Sequence, residues 1–274
     1  GRPLLWKNRD AADLHNQVVY RADGRFAYLG VVNQGDALGL EIWAGVNAAG
    51  FAIMNSASYN LDDKETIAEG AIMKLALQTC RTVADFQALL EASNATGRDT
   101  TANFGVIDAA GGAAYFETGL KAYTRYDATD PAHAPGGYLI RTNFSEGGDR
   151  DRGSGILRHE RATALFAEVM GGGRMDAATL LSRVARDTAN PAIGQLPLSP
   201  GHAAPLAYIG DSIARSDTVS LALFHGVAAG EDPLLTTMWV ILGQPLSGAA
   251  TPLWAGAGTV PGGAVQVQHG FRVV

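Results

Sequence analysis

Polar side chains stand in this sequence where apolar, strand-like runs end. Lys7, Asn8 and Asp10 close the first run, and Asn55 and Asn143 follow two later ones. Strand ends commonly form the rim of a cleft, where an amine, a carboxylate and several carboxamides could bind and polarise a small ligand. Taken singly, each is better explained as a residue that stabilises a turn. Their shared position favours a common site.

The usual signatures of other catalytic sites are missing from the sequence. It contains no G-x-S-x-G elbow, no H-E-x-x-H zinc motif and no G-x-x-x-x-G-K phosphate loop. The single cysteine, Cys80, lies near the end of an amphipathic helical pattern, which favours a buried structural thiol over a nucleophile. The six histidines are dispersed. We therefore expect neither a metal site nor a cofactor.

Composition and charge narrow the classes of partner. The formal charge of the 274 residues is -6, and basic side chains are scattered among acids, which argues against a nucleic-acid partner. No apolar run approaches the ~20 residues that cross a bilayer, so no membrane span is expected. Composition does not decide between a cytoplasmic and an extracytoplasmic location. It also does not decide whether the protein is a monomer or a homo-oligomer.

The elements that would position these residues can be predicted from periodicity and turn signals. We expect helices at 64–79 and 83–92, the second opened by a capping box of Thr82 and Asp85. Strand-like patterns of the first half fall at residues 4–8, 17–21, 27–32, 40–46, 51–56, 102–107, 113–117, 121–126 and 138–142.

The second half repeats this alternation of helical and strand-like segments. The pattern predicts helices at 157–170 and 177–186, a loop at 190–210, strands at 218–225 and 235–242, and an irregular tail from residue 251. Grouped strands and grouped helices do not alternate as βαβ units would. We expect an α+β fold of two antiparallel sheets with helices on their outer faces. No low-complexity linker divides the chain, which indicates one domain over residues 1–274.

Five short segments, in order, carry a family resemblance. They are G-R-P-L-L-W-K-N-R-D, A-G-V-N-A-A-G-F-A-I-M-N-S, L-I-R-T-N-F, T-V-S-L-A-L-F-H-G-V and T-M-W-V-I-L-G-Q-P. The set resembles the acyl-coenzyme A:6-aminopenicillanic acid acyltransferases and the related choloylglycine hydrolases, and it extends over most of the chain. The resemblance implies the four-layer αββα sandwich of N-terminal-nucleophile hydrolases.

The same resemblance implies a chemistry and assigns roles within it. Its substrate is a small N-acyl amide, which an N-terminal Cys attacks to form an acyl-thioester, with the cysteine's own α-amino group as base. Asp10 would orient that amino group, and Asn8 would support the same corner. Asn55 would donate to the oxyanion, and Asn143 would help to line the oxyanion hole.

The resemblance assigns two further site residues, Lys7 and Arg215. Lys7 stands where choloylglycine hydrolases carry arginine, a change that keeps the charge but loses the planar two-pronged donor. Arg215 matches a late catalytic arginine. The acyl group, the amine, and the choice between hydrolysis and acyl transfer are left open.

The departure from the family lies at Gly1, which has no nucleophile. Residues 1–10 begin with turn chemistry and continue as a strand, as the second half of a hairpin does. We favour a domain that lacks its first strand, and with it the cysteine, over a natural pseudoenzyme or binding protein that keeps the cleft. A third hypothesis is an unrelated β-rich scaffold, in which Asp10, Asn55 and Asn143 would not share a cleft.

Overall fold

The protein is described here by a computed structural model, which covers residues 1–36, 39–61, 69–197 and 208–262. Two antiparallel sheets dominate these residues. The smaller sheet has the strand order β1-β9-β10-β11. Its strands are β1 (Leu4–Asp10), β9 (Thr218–His225), β10 (Thr237–Leu242) and β11 (Thr251–Leu253).

The larger sheet is a seven-stranded meander in which every strand pairs with its neighbours in sequence. It consists of β2 (Asn16–Arg21), β3 (Tyr28–Asn33), β4 (Ala44–Asn47), β5 (Ala52–Ala57), β6 (Ala102–Ile107), β7 (Ala113–Thr118) and β8 (Tyr123–Asp127). Two predicted strands, β6 and β9, have the bounds that their apolar patterns gave.

Helices cover the outer face of each sheet. On the larger sheet lie α1 (Glu69–Thr79) and α2 (Val83–Asn94), whose side chains share a core with that sheet through Met73, Leu77 and Phe86. The predicted capping box of α2 is present, with reciprocal bonds between Thr82 and Asp85. On the smaller sheet lie α3 (Ile156–Gly171) and the short α4 (Ala177–Thr179).

A third cluster of apolar side chains fills the space between the sheets, where Leu5, Val31, Met54, Phe224 and Met238 pack together. Burial of this kind contributes about 25 cal/mol per Å² of apolar surface and holds the two sheets face to face. The order of layers is helix, sheet, sheet, helix. The predicted αββα sandwich is therefore confirmed.

Alternation along β1 decides which way its polar residues face. Leu5 joins the core between the sheets, whereas Leu4 and Trp6 pack toward α3 and α4. Since successive side chains of a strand point to opposite faces, Lys7 lies on the side of the larger sheet and Asn8 on the side of the helices. This strand thus carries polar groups into both halves of the molecule.

The strand predicted at 138–142 was wrong, because these residues form no ladder. Side-chain hydrogen bonds take the place of strand pairing there. The buried amide of Asn103 donates to the carbonyls of Thr142, at 3.4 Å, and Phe144, at 2.8 Å. Backbone polar groups that are satisfied by side chains need no partner strand.

The strand predicted at residues 40–46 began too early. Only Ala44–Asn47 is a strand, because the backbone N–H groups of Leu40 and Glu41 donate to the carboxylate of Asp36. A short aspartate side chain competes in this way with the ladder for backbone donors.

The helix predicted at 177–186 was also too regular. It is α-helical only over Ala177–Thr179 and continues as a π-helical turn over Leu180–Val184. The guanidinium of Arg186 then donates a hydrogen bond to the carbonyl of Leu181 at 2.9 Å. A side chain that bonds a terminal carbonyl ends the helix there.

The remaining differences lie at segment ends. The helix predicted from residue 64 is seen from Glu69 onward, and residues 64–68 lie outside the described residues. The predicted loop at 190–210 is described to residue 197 and contains a 3-10 turn, and 198–207 lie outside. The tail was wrongly predicted to be irregular at Thr251–Leu253, a three-residue strand too short to show a period.

Across the parts of the chain that the structure describes, the helices are too short or too polar to cross a membrane.

Candidate active site

Strand β1 forms an edge of the smaller sheet, and a cleft runs along it. The strand pairs with β9 over its whole length, and within the described residues no strand pairs with its other edge. A cavity of about 1150 Å³ lies beside Trp6 to Asp13, and a second of about 480 Å³ lies beside Gly1 to Trp6. Trp6, Ile140 and Arg141 line both cavities, so the two follow the open edge of β1 from end to end.

Lys7 and Asn55 meet on the wall that the larger sheet contributes. The ammonium of Lys7 donates to Oδ1 of Asn55 at 2.5 Å and to the carbonyl of Trp43 at 2.9 Å. Burial, helped by the nearby charge of Arg9, lowers the pKa of Lys7 to about 7, while the acids Glu69 and Asp10 oppose the fall. Because Oδ1 of Asn55 is occupied, its Nδ2 is the group left for a ligand in the cavity.

Asp10 lines the same cavity from the end of β1, at a bulge in the pairing of β1 with β9. Its Oδ1 accepts a hydrogen bond from Thr218 at 2.7 Å, and its Oδ2 lies 3.4 Å from Arg158 and 3.7 Å from Arg215. Burial raises the pKa of the Asp10 carboxyl, while Thr218 and the two guanidinium groups oppose the rise. The carboxylate is thus oriented from three sides.

Asn143 is held rather than left free. Its Nδ2 donates to the carbonyl of Ala57 at 3.1 Å, and its Oδ1 accepts from Arg158 at 2.9 Å. Arg158 therefore connects Asn143 to Asp10, and all three line the larger cavity. Burial lowers the pKa of Arg158, and the neighbouring charge of Asp10 opposes that effect.

Asn8 faces the helical layer, and its hydrogen bonds are internal. Its Nδ2 donates to the carbonyls of Ala185, at 2.9 Å, and Ile213, at 3.0 Å, while its Oδ1 accepts from Trp6. The side chain fastens β1 to the elements that carry those carbonyls. Its role beside a nucleophile stays a prediction.

The structure brings five of the six predicted site residues together in two groups near the end of β1. Lys7 and Asn55 form one group, Asp10, Asn143 and Arg215 form the other around Arg158, and Asn8 faces the helical layer. Arg215 also pairs with Asp217 at 3.0 Å and does not line the larger cavity. Arg158 occupies the bridging position that no predicted residue filled.

Sequence reasoning missed Arg158 because its surroundings in the chain gave no signal. It lies in the first turn of α3, among helical residues of mixed charge. The helix begins after Gly155, where φ is 76°, a conformation that glycine adopts without strain. Only the folded chain shows that this turn returns to β1.

A buried polar network supports the wall that carries Asn143. Glu117 binds the guanidinium of Arg141 at 2.6 Å and accepts from the backbone N–H groups of Glu146 and Gly147. Asn103 holds the same segment from the sheet. Because buried polar groups cost free energy when unpaired, this set of bonds favours one conformation of the segment.

Among the described residues, no three or more histidine, cysteine or acidic side chains lie together so that they could hold a metal ion. Cys80 is buried, and burial raises the pKa of its thiol to about 11. A thiol in that state is a poor nucleophile at neutral pH.

Comparison with known sequences gives one family and no individual relative. The sequence model of the family described as acyl-coenzyme A:6-aminopenicillanic acid acyl-transferase matches residues 1–163, more than half of the chain. No curated protein matches the sequence.

Several solved structures share the architecture at low sequence identity. An N-acylethanolamine-hydrolyzing acid amidase ortholog from Caenorhabditis elegans has a TM-score of 0.51 and 12% identity, over 82% of this chain and 88% of that one. A variant of conjugated bile acid hydrolase from Clostridium perfringens has a TM-score of 0.51 and 11% identity, over 93% and 89%. Penicillin V acylase from Agrobacterium tumefaciens has a TM-score of 0.46 and 14% identity, over 92% and 81%. The first two similarities show a shared fold.

Proposed function

Because the chain belongs to the acyl-coenzyme A:6-aminopenicillanic acid acyltransferase family, we propose that it serves as an amide-bond hydrolase or acyltransferase for small N-acylated substrates. The observation that carries this proposal is the convergence of Lys7, Asn55, Asp10 and Asn143 on the cavity beside the open edge of β1. The unrelated-scaffold hypothesis expected these side chains to lie apart, and they do not.

The nucleophile of this proposal is a cysteine that residues 1–274 do not contain, on a strand that pairs with the open edge of β1 and completes their single domain. Two features support this placement. An unpaired strand edge is a template for another strand, and the cavities extend along its whole length. An α-amino group titrates near ~8, so a cysteine at the start of such a strand would supply its own base at neutral pH.

Asp10 and Asn55 then have separate tasks. The carboxylate of Asp10, held by Thr218 and Arg158, would accept hydrogen bonds from the α-amino group and orient it. The free Nδ2 of Asn55 would donate to the oxyanion, since Lys7 fixes the other end of the same amide. A fixed donor of this kind contributes about 3 kcal/mol to transition-state stabilisation.

Asn143 acts in this scheme through its connections. Arg158 and Ala57 use both ends of its amide, so the side chain aligns the wall of the hole with Asp10. The acyl chain would lie against the apolar part of the cavity, which Trp6, Met54, Ile140 and Ile213 line.

A test uses the full-length protein and a panel of N-acyl amides that includes penicillin V, an N-acylethanolamine and a bile-salt conjugate. We expect amine release that iodoacetamide abolishes, and we expect Asn55→Ala to lower kcat/KM about 100-fold, the equivalent of one lost oxyanion donor. Cys80→Ala is the matched control for the thiol, because Cys80 is buried away from the cavity.

Two results would contradict the proposal. Ligands of this class that bind without turnover would favour the binding protein that keeps the cleft. Turnover that is unchanged in Asn55→Ala would remove Asn55 from the oxyanion role.

A further inference from the structure

We propose that Lys7 is a nucleophilic amine that captures small aldehydes in the cavity as imines. This use of the site does not depend on amide chemistry or on any cysteine. It stands on the contacts of one side chain and on the space that this side chain lines.

The hydrogen bonds of Lys7 match a neutral amine better than an ammonium group. Its Nζ has two acceptors among the described residues, the carbonyl of Trp43 and Oδ1 of Asn55. An ammonium group has three N–H donors, and a neutral amine has two donors and a lone pair. The salt bridges within the described parts of the chain include none to Lys7. A neutral amine at this position would have both of its N–H groups satisfied and its lone pair directed at the cavity.

The charges around Lys7 act in the same direction. Arg9, on the same face of β1, lies over the ring of Trp43 and repels a second cation. Glu69 at the start of α1 and Asp10 on β1 attract one, but more weakly than burial opposes it, and the pKa of Lys7 falls to about 7. About half of the molecules then carry a free amine at neutral pH, against about 0.04% for an unperturbed lysine.

The reaction balances without a further reagent. The lone pair of Nζ attacks the aldehyde carbon, a C–N bond forms, and a proton moves from nitrogen to the former carbonyl oxygen. Loss of water from this carbinolamine gives the imine. Nδ2 of Asn55 is placed to donate to the oxygen while it carries negative charge, because Oδ1 of the same amide binds the amine.

The lining of the cavity indicates the class of aldehyde. Trp6, Met54, Ile140 and Ala162 give it an apolar wall next to the Lys7–Asn55 pair. An aliphatic or aromatic aldehyde could bury its chain there and present its oxygen to Asn55. The volume of about 1150 Å³ accommodates such molecules.

The test is reductive alkylation of the chain with butanal and sodium cyanoborohydride at pH 7, followed by tandem mass spectrometry. The chain has four lysines, and Lys74 and Lys121 serve as internal references. We expect Lys7 to be alkylated at least about tenfold faster than either reference. That ratio should fall as the pH rises to 10, where the free-amine fraction of Lys7 can no longer increase while that of a model lysine side chain still does.

Two controls separate the amine from the fold. Lys7→Arg keeps a cation but cannot form an imine, so the fast alkylation should disappear, whereas Lys74→Arg should retain it. In guanidinium chloride the preference for Lys7 should vanish, which measures the contribution of the fold without any variant. Alkylation of Lys7 at the rate of Lys74, or a ratio that does not change with pH, would overturn the proposal. Neither result bears on amide turnover, which is measured separately.

Discussion

At the scale of single residues, the site depends on groups whose pKa the fold shifts. Burial lowers the pKa of Lys7 to about 7 and raises that of Asp10, so a cation and an anion on β1 are both moved toward their neutral forms. Five of the six predicted site residues follow strand-like runs, a pattern that the sequence shows directly. The sixth, Arg215, was assigned from the family resemblance alone. Arg158 was not predicted, because its role depends on where a helix begins in space.

The first prediction concerns stability and pH. The lowered pKa of Lys7 means that between pH 7 and about 10 the unfolded chain binds a proton that the folded chain has released. Wild type should therefore gain stability over Lys7→Met as the pH rises through that window, by at most about 1.4 kcal/mol per pH unit. Urea unfolding at several pH values measures the difference.

The exposed-lysine variant Lys121→Met, measured in the same way, corrects for any general effect of removing a lysine. If the corrected difference between wild type and Lys7→Met stayed constant, or fell, from pH 7 to pH 10, the amine would not be buried as described.

The second prediction concerns the carboxylate of Asp10. In Asp10→Asn the guanidinium groups of Arg158 and Arg215 lose their shared counter-charge. We expect a loss of about 2 kcal/mol in the free energy of unfolding, less than for a fully buried pair because solvent reaches Asp10. The denaturation midpoint measures it. Asp217, an exposed residue, also pairs with Arg215, so Asp217→Asn serves as the control and should change stability by less than about 0.5 kcal/mol. Equal losses of stability in the two variants would argue against the arrangement around Asp10.

At the scale of elements, the strands were easier to predict than the segment that carries Asn143. Thr218–His225 and Ala102–Ile107 have continuous apolar patterns, and the sequence predicts both with the correct bounds. Residues 138–142 include the apolar pair Leu139 and Ile140 but form no ladder, and the carbonyl of Thr142 accepts from the side chain of Asn103. Asn103 lies about 40 residues earlier in the chain, and local periodicity cannot show such a contact.

The third prediction tests the network behind that segment. Glu117 is 1% exposed and binds Arg141 and two backbone N–H groups. Glu117→Gln should lower the free energy of unfolding by about 3 kcal/mol, because Arg141 would be left as a buried, unpaired cation. Glu168→Gln is the control, since Glu168 is 60% exposed and its bond to Arg183 should matter little. Similar midpoints for the two variants would mean that Glu117 does not hold the segment.

At the scale of the whole molecule, the sandwich could be predicted, and the strand that pairs with β1 could not. Grouped strands and helices indicated two antiparallel sheets with helical outer layers, as the structure has them. The open edge of β1 agrees with the hairpin pattern of residues 1–10, whereas its pairing with residues 218–225 is a long-range contact that no local pattern specifies. The single-domain organisation stays a prediction.

The most direct test of the proposed function is to trap the acyl-enzyme. The full-length protein would be mixed with an N-acyl amide that it turns over, quenched in acid within seconds, and mapped by mass spectrometry. The added acyl mass should lie on a cysteine of the strand that pairs with β1. It should not form when that cysteine is alkylated beforehand. Acyl mass on Cys80, or turnover without any acylated cysteine, would contradict it.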